Sequence, residues 1–134
     1  MKLKLDNQTI LITGSGSGIG RGIADGFLKE GASVIITDLN NKSLLKTAEE
    51  FSNQYSEEKI LSFFGNLNKP DILELLYQFI IDEAGGVDHL VCNIGSGKSV
   101  PPLDEDVTEF QRMLDINLLN AVGIVNQLYP LLEK

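Results

Sequence analysis

The chain has 134 residues, of which 43% are hydrophobic and 22% are charged, and its formal net charge is −8. This length suits one domain with its own core, and the composition is that of a folded globular protein rather than a disordered one. The acidic balance excludes nucleic acid and an anionic membrane surface as expected partners, because both bind through clustered Lys and Arg side chains.

Cysteine usage and hydropathy point to the cytoplasm. The single cysteine, Cys92, has no partner for a disulfide within the chain, and we expect it to be a small buried side chain. The first five residues lack the apolar core of a secretory leader. The apolar segment 116–132 is interrupted by polar residues and by Pro130, which predicts a helix facing the core rather than a membrane span. We therefore predict a cytoplasmic protein without a membrane anchor.

Strands and helices are predicted to alternate along the chain. Four apolar, β-branched runs are each followed by a segment with helical periodicity. The strands are predicted at residues 9–13, 33–38, 60–65 and 88–93, and the helices at 18–29, from 41, from 70 and from a capping box at 106 and 109. Pro130 is expected to kink or end the last helix. This alternation predicts an α/β fold, a partial Rossmann-type doubly wound parallel sheet of four strands in the order 3-2-1-4 with helices on both faces.

The helical periodicity also predicts which side chains face the core. The expected apolar stripes are Leu44, Ala48, Phe51 and Tyr55 on the second helix, Ile72, Leu75, Leu76, Phe79 and Ile80 on the third, and Phe110, Met113, Leu114, Ala121, Ile124, Val125 and Leu128 on the fourth.

A glycine-rich turn, TGSGSGIG at residues 13–20, joins the first strand to the first helix. Backbone N–H groups at a helix start lack intrahelical partners and lie at the positive end of the helix dipole, so they can bind a pyrophosphate where no Cβ blocks its approach. A strict GxGxxG frame fails from every glycine of the turn, and the lysine of a P-loop is missing. A later Gly97-Lys98-Ser99 is not a P-loop either, because Cys92 stands where the leading glycine belongs and Pro101 and Pro102 follow.

The frame Thr-Gly-x-x-x-Gly-Ile-Gly resembles that of the short-chain dehydrogenase/reductase family. Residues 92–95 are similar to the family's Asn-Asn-Ala-Gly segment at Asn93 and Gly95, and residues 113–118 resemble the pattern that ends in its catalytic asparagine, here Asn117. The resemblance extends over the whole chain and implies that residues 1–134 form an NAD(P)-binding Rossmann domain without the carboxy-terminal catalytic half of the family.

The resemblance and the position of Asp38 together predict the cofactor. Asp38 ends the second strand about twenty residues beyond the glycine turn, where a dinucleotide fold places the acid that holds the adenosine ribose. A 2′-phosphate would meet like charge there, and Ser15, Ser17 and Leu39 supply no cation, so NAD is favoured over NADP. The alternative role for Asp38 is to cap the following turn. The predicted cofactor-binding residues are Gly14, Ser15, Ser17, Gly18, Ile19, Gly20, Asp38, Leu39, Asn66, Leu67, Asn93 and Gly95; no metal site is predicted.

Two of these assignments, and the catalytic one, have structural alternatives. Asn66 and Leu67 follow the third strand where the family contacts the adenine, but Asn66 also fits a simple turn before a helix. The resemblance implies that Asn117 is catalytic and perturbs its helix, whereas an asparagine on a partly exposed helix flank is the alternative. Ser96, Lys98 and Ser99 would lie beside the substrate in the family, or are solvated loop residues.

The catalytic serine and the Tyr-x-x-x-Lys motif of the family are absent from the sequence. Tyr129 and Lys134 are five residues apart, and Tyr129 lies about 18 Å along the helix from Asn117. His89 is expected at the start of its strand, far from the cofactor edge.

The expected function follows from these matches and absences. It is that of an NAD-dependent short-chain oxidoreductase, transferring hydride between nicotinamide and an alcohol or carbonyl substrate. This chain would represent the cofactor-binding half, inactive alone and able to use a small-molecule substrate only with the other half, so whether it is an enzyme by itself is left open. The alternative is a non-catalytic dinucleotide-binding or self-associating truncated fragment. A homo-oligomer is expected, because the fourth strand has an unpaired edge and the last helix an uncovered apolar flank.

Overall fold

Parallel pairing of four strands organises the chain in a computed structural model that describes residues 3–133. The sheet has the order β3-β2-β1-β4, so the predicted order 3-2-1-4 is confirmed. The strands are β1 (Thr9–Ile12), β2 (Ser33–Asp38), β3 (Ile60–Phe64) and β4 (His89–Val91). The helices are α1 (Gly18–Lys29), α2 (Asn41–Gln54), α3 (Pro70–Phe79), α4 (Val107–Leu114) and α5 (Asn120–Leu132).

The last two helices form one continuous rod with a wider turn in the middle. A π-helical turn at Asp115–Leu119 joins α4 to α5, and a second π turn at Ile80–Ala84 extends α3. The predicted cap of α4 is present, since the Asp106 carboxylate accepts a hydrogen bond from the Glu109 N–H at 2.8 Å. Pro130 lies inside α5, which ends two residues later at Leu132.

β1 lies at the centre of the sheet and is buried on both faces. Its residue Ile10 pairs with Val34 of β2 on one side and with His89 of β4 on the other. Successive side chains of a strand point to opposite faces. Ile10 and Ile12 accordingly pack in one core with α1 and α2, and Leu11 packs in the other with α3 and α5.

β4 is shorter than predicted. The expected strand covered residues 88–93, but the ladder stops at Val91. Beyond it, the backbone N–H of Asn93 donates to the Thr13 hydroxyl at 3.0 Å instead of to a neighbouring strand carbonyl. A side chain of the glycine turn thus takes the place of the ladder, and β4 ends there.

The prediction for the buried stripe of α3 is wrong at Leu75. Leu75 is 58% exposed, whereas Leu76 and Ile80 are fully buried and Leu73, which was not predicted, is nearly so. The helix begins at Pro70 and presents positions 73, 76 and 80 to the sheet. Leu75 and Leu76 both fit a helical period. Only the orientation in which α3 packs on the sheet decides which of the two is buried.

Other expected core residues also lie at the surface. Phe110, Leu114 and Val125 are exposed, because among the described residues nothing packs on that flank of α4 and α5. Cys92 is likewise exposed, so its predicted burial is wrong: it lies just beyond the end of β4, where the backbone leaves the sheet. Partial desolvation still raises the pKa of its thiol.

Across residues 3–133, no helix has both the length and the apolar character that crossing a membrane requires.

The contrast between Leu75 and Leu76 yields a stability prediction. Leu76→Ala should lower the free energy of unfolding by about 2–5 kcal/mol, because it removes a fully buried side chain. Leu75→Ala, one position away on the same helix, should change it by at most about 0.5 kcal/mol. Urea unfolding followed by circular dichroism measures both values, and equal losses for the two variants would contradict the observed orientation of α3.

Candidate functional site

A cleft of about 240 Å³ opens at the carboxyl ends of the four strands. Ligands of open α/β sheets bind at this edge. The cleft is lined by Gly14, Thr37, Asp38, Leu39, Gly65, Asn93, Ile94 and Gly95. The fold thus brings segments from four parts of the sequence to one place.

The glycine turn owes its shape to backbone angles and to one very close approach. Gly14 and Gly18 have φ values of +61° and +58°, in the left-handed region that favours glycine. A Cβ on Gly20 would overlap the Gly14 carbonyl oxygen and would lie 2.6 Å from Nδ2 of Asn93. α1 can therefore begin directly against the end of β1 only because residue 20 has no side chain.

Asn93 ties the end of β4 to this turn. Its Nδ2 donates to the Gly14 carbonyl at 3.1 Å, while its backbone N–H donates to the Thr13 hydroxyl. Thr13 itself donates its N–H to the carbonyl of Val91 at 3.0 Å. The predicted site residue Asn93 thus lines the cleft and connects the end of β4 to the glycine turn.

The first turn of α1 faces the cleft end of the sheet without a side-chain cap. Ser17 occupies the N-cap position with extended backbone angles, and its side chain makes no capping hydrogen bond. The next residues, Gly18 and Ile19, are exposed. The N–H groups of this turn thus have no side-chain acceptor within residues 3–133, which is the arrangement that an anion requires.

Ser15 is used inside the turn. It is fully buried, its hydroxyl donates to the Ile12 carbonyl at 2.6 Å and accepts from the Thr37 N–H at 3.1 Å. Its own N–H donates to the Thr37 carbonyl at 2.8 Å. Ser15 therefore joins β1 to β2, and its predicted contact with a cofactor stays a prediction.

The carboxylate of Asp38 is oriented by two backbone donors. Its Oδ2 accepts from the Gly16 N–H at 3.0 Å, and its Oδ1 accepts from the Asn40 N–H at 2.9 Å. The second bond is the turn-capping contact that the sequence left as an alternative. Each carboxylate oxygen has a further lone pair, so both remain able to accept from a ligand in the cleft.

Asn66 takes the structural role that the sequence left open, and its neighbour Leu67 lies in the core. Oδ1 of Asn66 accepts from the Asn68 N–H at 3.0 Å, which builds the turn before α3. Leu67 is buried in the core shared with α3 and α5. A contact of either residue with an adenine stays a prediction, and for Leu67 only the backbone is available to make it.

Asn117 clamps the segment after β4. It lies in the π turn between α4 and α5, where its Nδ2 donates to the Ser96 carbonyl at 2.8 Å and to the Met113 carbonyl at 2.9 Å. Its Oδ1 accepts from the Ser96 N–H at 3.1 Å, and a Cβ on Gly95 would come within 3.0 Å of that oxygen. The side chain thus lies beside the cleft-lining Gly95, while its catalytic role stays a prediction.

Thr47 of α2 supports the glycine turn beside the cleft, and the sequence did not predict this role. It is 3% exposed, and its hydroxyl donates to the Gly16 carbonyl at 2.7 Å. A signal was present, because Thr47 is the one polar residue at helical spacing between the buried Leu44 and Phe51. A polar side chain on a buried stripe needs a hydrogen-bonding partner, and here the partner is the glycine turn.

The remaining polar candidates lie outside the cleft. Ser96, Lys98 and Ser99 are exposed. His89 begins β4 at the opposite end of the strand, as predicted, and bonds the side chain of Gln8 at 3.1 Å. Within the described part of the chain, no three His, Cys, Asp or Glu side chains come together as metal ligands.

Sequence comparison relates the chain to known enzymes. The family model described as short chain dehydrogenase matches residues 8–134. The 7alpha-hydroxysteroid dehydrogenase of Escherichia coli K12 is 31% identical over 132 residues, which are 98% of this chain and 51% of that protein. The diacetyl reductase [(S)-acetoin forming] of Staphylococcus epidermidis is 30% identical over 116 residues, 87% of this chain and 44% of that protein. The chain spans about half the length of the curated relatives it matches.

Solved structures share the fold over nearly the whole chain. L-Sorbose reductase from Gluconobacter frateurii, complexed with NADPH and L-sorbose, superposes with a TM-score of 0.91 at 26% identity and covers 98% of this chain and 50% of its own. A short-chain dehydrogenase/reductase of the glucose/ribitol dehydrogenase type from Brucella melitensis superposes with a TM-score of 0.89 at 28% identity, covering 98% and 55%.

The close approach at Gly20 predicts opposite effects for two glycines of α1. Gly20→Ala should lower the free energy of unfolding by about 1–3 kcal/mol, because the new methyl group must displace the Gly14 carbonyl or the Asn93 amide. Gly22→Ala meets no atom within 4 Å and should raise it by up to about 1 kcal/mol through helix propensity. Thermal and urea unfolding measure the stability of both variants. A Gly20→Ala variant as stable as the unaltered chain would contradict the close packing of residue 20 against Gly14 and Asn93.

Proposed function

Because this chain belongs to the short-chain dehydrogenase family, we propose that residues 1–134 are its NAD-binding domain, with the adenosine and pyrophosphate of NAD in the cleft beside Asp38. The observation that carries this proposal is the Asp38 carboxylate, held by two backbone donors at the rim of the glycine turn. In this arrangement the ribose hydroxyls donate to Asp38, and the N–H groups of the first turn of α1 bind the pyrophosphate.

The charge of Asp38 favours NAD over NADP. A 2′-phosphate on the ribose would meet the Asp38 carboxylate, and Leu39 and Ser17 nearby offer no compensating cation. Arg21 at the start of α1 is engaged in an ion pair with Glu50 and lies over the ring of Phe51, 5.6 Å from its centroid. The related L-sorbose reductase carries NADPH, so the two cofactors have to be compared directly on this chain.

The proposed reaction class is hydride transfer between nicotinamide and an alcohol or carbonyl carbon, performed by the complete enzyme. Within it, Asn117 would be catalytic, with Gly95 and Asn93 bordering the ribose and nicotinamide side. The chain alone lacks the Tyr-x-x-x-Lys motif, and we propose that by itself it holds the cofactor without turning over substrate. A cytoplasmic location accords with the single cysteine, which leaves no disulfide within the chain.

A second function, self-association, is favoured by one surface. A stripe of apolar side chains at spacings of three and four residues is exposed along α4, the π turn and α5. It consists of Val107, Phe110, Leu114, Leu118, Val122, Val125 and Tyr129. β4 also ends the sheet and has no strand on its outer side among the described residues. Pairing of two copies through this flank would give the homo-oligomer that we propose.

Removal of the Asp38 charge tests the cofactor proposal. Asp38→Asn should weaken NADH binding about 10- to 100-fold, because two charge-assisted hydrogen bonds to ribose become neutral ones. It should also reduce the difference between the affinities for NADH and for NADPH. Glu57→Gln removes one charge at an exposed site away from the cleft and should leave both affinities unchanged. Isothermal titration calorimetry with each nucleotide measures these values. Tighter binding of NADPH than of NADH by the unaltered chain would refute the NAD assignment.

A charge within the apolar stripe tests self-association. Phe110→Glu should shift the sedimentation-equilibrium mass from oligomer toward monomer, because a carboxylate would be buried against a second copy. Leu45→Glu places the same charge at an equally exposed leucine of α2 and should leave the mass unchanged. A strictly monomeric mass for the unaltered chain at tens of micromolar would exclude the pairing.

A further inference from the structure

We infer that Thr47 of α2 is a positioning residue that sets how well Asp38 distinguishes NAD from NADP. This inference rests on the proposed NAD site. Thr47 lies on a helix that contributes no residue to the lining of the cleft, and it acts through Gly16 of the glycine turn.

Gly16 is held from both sides by hydrogen bonds. The Thr47 hydroxyl donates to its carbonyl oxygen at 2.7 Å, and its N–H donates to Oδ2 of Asp38 at 3.0 Å. One residue of the turn thus connects α2 to the carboxylate. Because Thr47 is 3% exposed, its hydrogen bond to Gly16 is shielded from bulk solvent, which strengthens it.

The carboxylate also packs directly on Gly16. A Cβ added to Gly16 would lie 2.9 Å from Oδ2 of Asp38 and 3.0 Å from its Cβ. These separations are shorter than van der Waals contact, so the carboxylate leaves no room for a side chain at residue 16. Because Oδ2 of Asp38 accepts from the Gly16 N–H, a displacement of Gly16 alters the orientation or the hydrogen bonding of the oxygen that would meet either a ribose hydroxyl or a 2′-phosphate.

The apolar contacts of α2 cannot replace this hydrogen bond. Leu44 and Phe51, each 1% exposed, hold the helix on the sheet through the core around β1 and β2. They pack α2 on the sheet, but their apolar side chains have no group that can donate a hydrogen bond to Gly16. The hydroxyl of Thr47 supplies the directional contact, and a valine of nearly the same shape would leave the Gly16 carbonyl without its donor.

The selectivity of three variants tests the inference. Calorimetry with NADH and with NADPH gives the ratio of the two dissociation constants for each. Thr47→Val should reduce the preference for NADH about 3- to 10-fold, the equivalent of one hydrogen bond. Thr47→Ser keeps the hydroxyl and should preserve the ratio within about twofold. Leu44→Val, one turn earlier on the same buried stripe, should lower the melting temperature while leaving the ratio unchanged.

Two further measurements keep the inference falsifiable if Thr47→Val folds poorly. The Gly16 amide should exchange with solvent faster in Thr47→Val than in the unaltered chain, without any nucleotide present. Gly16→Ala keeps Thr47 but pushes the carboxylate away, and should also reduce the preference for NADH.

The outcomes separate this inference from the proposed function. If the unaltered chain prefers NADH and Thr47→Val or Gly16→Ala retains the full preference, the inference is overturned and the NAD site stands. Unchanged exchange of the Gly16 amide in Thr47→Val also overturns it. If the unaltered chain shows no preference for NADH, the proposed NAD site fails and the inference fails with it.

Discussion

The contact on which the rest of the structure depends is the approach of Gly20 to the Gly14 carbonyl and the Asn93 amide. α1 starts so close to the end of β1 that a single methyl group at residue 20 would overlap the turn. Because residue 20 has no side chain, the side chain of Asn93 reaches the Gly14 carbonyl and joins β4 to the turn. One missing side chain thus lets a helix N-terminus, the central strand and its neighbour meet at the edge where ligands bind.

The same edge is held by polar side chains that each join two elements. Ser15 connects β1 to β2, Thr47 connects α2 to the turn, and Asn117 connects the π turn to the segment after β4. Each of these bonds satisfies a backbone group that the irregular turns leave without a ladder partner. The backbone around the cleft is therefore held in position by hydrogen bonds within the chain itself.

Much of the fold was predictable because its signals are local. The bounds of α1 and β2 agree with prediction, since glycine, charged and apolar residues punctuate them clearly. Predictions failed where contacts with a neighbouring element decide whether a side chain is buried. Leu75 and Leu76 both suit a helical period, and the exposure of Cys92 depends on where the ladder of β4 stops. Asn66 could serve a turn or a ligand, and its bond to Asn68 shows the turn.

By itself, the sequence determined the order of strands and helices, the glycine turn, the acid at the end of β2 and the membership of a family of oxidoreductases, because each depends on residue type at fixed spacing. Only the tertiary structure decided which of these residues bond one another: Oδ2 of Asp38 accepts from the Gly16 N–H, the Ser15 hydroxyl accepts from the Thr37 N–H, and the Thr47 hydroxyl donates to the Gly16 carbonyl. The physical reason is distance, because these contacts join residues about twenty or thirty positions apart, and they exist only once parallel strands bring their carboxyl ends to one edge.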